Sequence, residues 1–123
     1  MTDFKFKRTD EGWETSRKVR GQGTQWIEVS TSAGYSKKML TWAQEAVEAL
    51  PALTRKARAL VGKEMLQDYY RDELGYGRNR VERVLLNDQG QVTGLIFAFA
   101  SSWATVNVDF DSEGKATDWA STG

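Results

Sequence analysis

The sequence predicts an α+β fold: an antiparallel β-sheet, with about three N-terminal and four C-terminal strands, packed against two central helices. Three observations predict it. The first thirty residues alternate apolar and polar positions, residues 36–74 change to a helical period, and the last forty return to short alternating runs separated by turns that end in glycine. A single globular domain over residues 1–123 is expected, because 40% hydrophobic and 28% charged content are values of a folded chain able to bury a core.

Phe4-Lys5-Phe6-Lys7 alternates as a half-buried strand should, and Asp10-Glu11-Gly12 is a reversal before Trp13 to Val19. These make a first hairpin. Gly21-Gln22-Gly23 breaks the pattern, and Trp26-Ile27-Glu28-Val29 resumes it as a third strand that ends at Ala33-Gly34.

Thr41 can cap a helix beginning at Trp42, with Gln44 at the capping-box position and Trp42, Ala46, Ala49 and Leu50 near one face. Pro51 then interrupts the pattern. Proline is tolerated in a first helical turn, so a second helix is expected from Pro51, with Leu53, Ala57, Leu60, Val61, Met65 and Tyr69 as its stripe, widened by Leu66, Tyr70 and Leu74. Gly75 would end it.

Val81 to Leu86, Gln91 to Phe99, Trp103 to Phe110 and Lys115 to Ala120 read as a four-strand meander, with turns at Asn87-Asp88-Gln89-Gly90 and Asp111-Ser112-Glu113-Gly114. A four-residue loop in the last hairpin sets Val108 opposite Thr117 and Val106 opposite Trp119. A bulged three-residue loop would set Val108 opposite Asp118, and the former keeps the core face apolar. The other face then carries Trp103, Thr105, Asn107, Asp109, Ala116 and Asp118. Of the five tryptophans, Trp26, Trp42 and Trp119 are expected inside, while Trp103 and Trp13 are harder to bury.

The chain has no histidine and no cysteine. That removes the commonest neutral-pH base, the thiolate nucleophile, disulfides and the usual zinc ligands. Catalytic, cofactor-binding and metal-binding residues are therefore assigned to none, and no cofactor is expected. Asp109-Phe110-Asp111-Ser112-Glu113-Gly114 resembles half of a calcium loop, but Ala120 stands where the bidentate glutamate belongs, and a β-turn needs the same Asp and Gly. Asp68 and Asp72 share a helix face as solvated carboxylates do, and Ser101-Ser102 has no lysine or histidine at a recognisable spacing. No apolar run is long enough for a signal peptide or a membrane span, so the expected compartment is the cytoplasm.

Net charge is zero, yet 16 of the 17 basic residues fall at or before Arg83 together with 12 of the 17 acidic ones. The part after Arg83 is acidic. Gly75-Tyr76-Gly77-Arg78-Asn79-Arg80 lacks the ending of a phosphate loop and leads into a strand. With Lys5, Lys7, Arg17, Lys18, Arg20 and the interleaved Phe4, Phe6 and Trp13 it forms a basic aromatic region that a nucleic-acid-binding domain would use. Neutral overall charge and the demand of the core for those aromatics argue against that use.

Leu40-Thr41-Trp42-Ala43-Gln44, the long helix ending Asp68-Tyr69-Tyr70 and the hairpin Val106-Asn107-Val108-Asp109-Phe110-Asp111-Ser112-Glu113-Gly114, in this order, resemble the small α+β immunity proteins of bacterial toxin systems. The resemblance implies a non-enzymatic inhibitor that neutralises a toxin by occluding it. A phage-encoded inhibitor of a bacterial defence complex is the near alternative, being equally small and built only to bind. The expected partner is a protein, such as a basic toxin domain. Its contact surface is expected at Trp103, Asn107, Asp109, Asp111, Glu113 and Asp118, where an aromatic anchor and acidic side chains meet.

Overall fold

The computed structural model describes residues 4–21, 23–64, 79–99 and 105–122. Its elements are β1 (Lys7–Arg8), β2 (Gly12–Val19), β3 (Gly23–Ser30), α1 (Lys38–Glu64), β4 (Asn79–Leu86), β5 (Val92–Phe99), β6 (Thr105–Phe110) and β7 (Ala116–Thr122). The seven strands form one sheet in chain order. Every neighbouring pair is antiparallel except β3 and β4, which run parallel. Two strands that point the same way cannot be joined by a tight turn, and the connection carrying α1 joins these.

The expectation of two central helices is overturned: this is a mostly β chain with one described helix, which runs through Pro51. The reason lies in its buried seam. Met39, Ala43, Ala46, Leu50, Leu53, Ala57 and Val61 are buried at spacings of three and four residues, without a break at the proline. Proline in a helix interior costs about 3 kcal/mol. Burying Leu53 and Val61 beyond it returns about 1.5–3 kcal/mol each, so continuing the helix wins. Pro51 itself is exposed, which keeps its ring out of the packed face. Nor does the helix begin at Trp42 under a Thr41 cap. Ser36 starts it, its Oγ accepting the Lys38 N–H at 3.2 Å and its carbonyl the Met39 N–H at 3.0 Å. Gln44 donates to Glu48. Met65 to Gly75 of the expected second helix lie outside the described residues.

The helix seam packs on the face of the sheet carrying Ile27, Val29, Val84, Leu86, Leu95, Phe97, Val106, Val108 and Phe110. Phe4 is buried in the same core, and Phe6, Tyr35 and Trp13 close its β1 edge with ring centroids 5.8–5.9 Å apart. β1 is only two residues long, so Phe4, Lys5 and Phe6 of the expected strand precede it. Trp26 is not interior. Ile27 and Val29 point to the helix, so period-two alternation puts Trp26 with Glu28 on the opposite face. Trp13 shares the side of Val29, packs against the core and donates its indole N–H to the Ala33 carbonyl.

The two C-terminal hairpins repeat at a spacing of 24 residues. Asn87 and Asp111 open turns that close at Gly90 and Gly114, with φ of 80° and 78°. Thr93 and Thr117 then donate their hydroxyls to the Leu85 and Asp109 carbonyls, each at 3.4 Å. Each hairpin also carries a second irregularity, between Leu85 and Leu86 and between Asp109 and Phe110. The register expected for the last hairpin is thereby corrected. Val108 faces Trp119 and Val106 faces Ser121, because the bulged turn and the further bulge each add one residue to β7. Two added residues leave Trp119 on the core side, whereas Thr117 is exposed and Ala116 packs against the core opposite Phe110.

Candidate functional site: the helix-free face of the sheet

Among the described residues, no helix covers the face of the sheet opposite α1. Strand register arranges its side chains in rows. One row runs Ser16, Trp26, Arg83, Ile96, Asn107, Ala120, and the next runs Glu14, Glu28, Leu85, Gly94, Asp109, Asp118. Six strands at about 4.8 Å spacing make each row roughly 24 Å long. The second row is acidic at both ends and apolar in the middle.

The two acidic ends differ. Glu28 accepts from Arg83 at 2.7 Å, and the Arg83 guanidinium also lies 5.7 Å from the centre of the Trp26 ring, so Glu28 has its cation within the protein, whereas Glu14 opposite it has no ion pair among the described residues. Asp109 and Asp118 stand directly opposite one another, both exposed. Among the described residues neither has an ion pair; the Asp118 Oδ1 accepts the Trp119 N–H at 2.8 Å. Like charges directly opposite on paired strands destabilise a sheet. Beside them, the Asn107 Oδ1 is buried and without a hydrogen-bond partner among the described residues. An unmet acceptor of this kind costs about 1–3 kcal/mol.

Of the expected contact residues, Asn107, Asp109 and Asp118 come together on this face. Asp111 and Glu113 stand at its margin, in the β6–β7 turn. The Asp111 Oδ1 accepts the N–H groups of Glu113 and Lys115, both at 2.9 Å, and Glu113 pairs with Lys115 at 3.6 Å with both side chains largely exposed. The backbone N–H of Lys115 is the largest cause holding the Asp111 carboxyl below its ordinary value, opposed by desolvation and assisted by the Glu113 N–H. Asp111 is thus a turn residue. Trp103 lies outside the described residues, as do Asp68, Asp72, Ser101, Ser102 and the loop from Gly75 to Arg78. Sequence reasoning missed Glu14, Glu28, Trp26 and Arg83 as members of the same surface. The parity of Trp26 with Glu28 in their strand was the signal available.

Of the basic aromatic region, the fold takes the aromatic side chains into or against the core and brings Arg17 and Arg80 to the wall of one cavity. Phe4 is buried, Phe6 and Trp13 pack against the core, Lys18 donates to Thr24 and Arg17 to Gln25. Among the described residues, no group of three or more His, Cys, Asp or Glu is placed to hold a metal ion, and no described helix is long and apolar enough to cross a membrane. In comparisons with known proteins, no family model, curated protein or solved structure matches the chain.

Proposed function

We propose that the protein is a non-enzymatic binding module of the immunity or inhibitor type, which takes up a basic protein partner on the helix-free face of its sheet. The observation that carries this reading is the Asp109–Asp118 pair, two exposed carboxylates set opposite each other without a cation, beside the unmet acceptor of Asn107. A Lys- or Arg-bearing surface would relieve the repulsion. The half-buried Trp26, Leu85 and Ile96 of the same rows supply apolar contact beside the charges, the mixture that favours protein over small-molecule recognition. Complementary charge of this kind accelerates encounter more than it raises final affinity.

The test is capture by the tagged protein from a lysate of its own host, washed at moderate and at high salt and read by mass spectrometry and nucleic-acid staining. One stoichiometric basic protein is the expected result. Nucleic acid that is lost at high salt would overturn the reading in favour of a nucleic-acid-binding domain.

A further inference from the structure

The two borders of the sheet differ. β1 is two residues long, whereas β7 runs for seven and, among the described residues, pairs with β6 alone. Sheet borders in proteins carry short strands, lysine, proline or bulges that discourage a further strand. The bulge of β7 lies at its start, opposite Asp109 and Phe110. Beyond it, Asp118 to Thr122 pair one to one with Asp109 to Thr105, and this stretch of β7 holds no lysine and no proline. Asp118 and Ala120 on one face and Ser121 on the other are exposed, and two of the three are small enough to let another chain approach closely.

The Trp119 N–H shows which backbone groups of β7 point outward. It donates at 2.8 Å to the Oδ1 of the neighbouring Asp118, so an aspartate side chain holds the place of a missing strand's carbonyl. In an antiparallel ladder every second residue turns its N–H and C=O away from the partner strand, and Ser121 therefore faces outward with Trp119. A groove of about 430 Å³ lies along the same border, between α1 and the start of β7. Ala59, Leu60 and Ala116 are on its wall, with the side chains of Lys56 and Lys115. Both lysine heads are engaged, Lys56 Nζ on the Gly114 carbonyl at 3.1 Å and Lys115 Nζ on Glu113 at 3.6 Å, which leaves their aliphatic stems to the groove.

We infer that β7 takes up an extended segment of the basic partner as a further strand, with Lys or Arg beside Asp118 and apolar residues at the alternate positions, toward Trp119 and the groove. This rests on the basic partner proposed above. Added strands bind through main-chain hydrogen bonds and are selected by the side chains of alternate residues. Here a carbonyl of the segment takes the Trp119 N–H, and the Asp118 carboxylate so released pairs with the cation beside it. Period-two alternation puts that cation on the helix-free face and its neighbours on the helix side.

The experiment titrates the full chain with a hexapeptide of alternating lysine and valine. A second peptide replaces lysine by glutamate, and a third keeps the lysine and valine side chains but carries N-methyl groups on its backbone amides, which removes its strand-forming donors. With the first peptide the Trp119 and Ser121 amides are expected to shift saturably and to exchange with solvent at least about tenfold more slowly. The N-methylated peptide should bind at least about tenfold more weakly, and the glutamate peptide not at all. Ser121→Pro, at an outward position where border strands accept proline, should weaken binding of the first peptide to a similar degree. Should that variant fail to fold, amide exchange in the parent chain decides. Equal binding of the N-methylated peptide, with the glutamate peptide still excluded, overturns strand addition and leaves the charged face standing. Equal binding of the lysine and glutamate peptides overturns it together with the basic partner. No saturable shift of either amide overturns the inference, and a free chain that sediments as a dimer with both amides already protected gives the border to a second copy instead.

Discussion

The indole ring of Trp42 lies flat against the position where Gly90 would carry a side chain, and a β-carbon there would overlap its Cγ, Cδ1 and Cδ2. The equivalent glycine of the repeated hairpin, Gly114, meets only the Lys56 Nζ at 3.9 Å, and that ammonium donates to its carbonyl. Both have left-handed φ. Gly114→Ala should therefore lose about 1–2 kcal/mol from backbone strain. Gly90→Ala should lose that and about 1–3 kcal/mol more from overpacking. Urea unfolding of the two variants measures the difference, and in a Trp42→Ala background it should disappear.

Pro51 denies the Val47 carbonyl its helical donor at an exposed position. Pro51→Ala restores that N–H and is expected to raise stability by about 1–2 kcal/mol, after allowing for the looser unfolded chain. Denaturant midpoints with an unchanged slope would show it.

Asp111 carries the pH dependence of the β6–β7 turn. Its carboxyl is held below its ordinary value of 3.8, chiefly by the Lys115 N–H, so the folded state favours the ionised form. The sign follows: this contribution is complete above the ordinary value and is lost as pH falls through the lowered one. The amides of Glu113 and Lys115 should begin to shift below about pH 4 and move together, and in Asp111→Asn that acid transition should be absent.

How much of this could be read from the chain depended on whether a pattern was local. The two C-terminal hairpins were legible because Asn87, Gly90, Asp111 and Gly114 specify their turns within five residues. The helix count was not, because Pro51 is a local signal that a long-range one overrides: the seam from Ala46 through Leu50 and Leu53 to Ala57 finds its reward only against a sheet built partly from residues after 79. Thr117 misled the register for a related reason. Its hydroxyl bonds the Asp109 carbonyl within a bulge, and nothing in alternation alone announces that a residue is to be skipped. For the candidate surface, Asn107, Asp109 and Asp118 were within reach because they share one hairpin. Glu14 and Glu28 join their row only through the parallel β3–β4 pairing, and that pairing is invisible in a local pattern.

The proposed contact joins the Asp109–Asp118 end of the sheet to a basic protein. It is tested most directly by the affinity and association rate of the captured partner for the parent and for the double variant Asp109→Lys/Asp118→Lys, compared at equal thermal stability. Binding at least about tenfold weaker is expected, with most of the loss in the association rate and a flatter dependence on salt. Unchanged affinity and an unchanged salt dependence in a folded double variant would contradict it and move the contact to another surface.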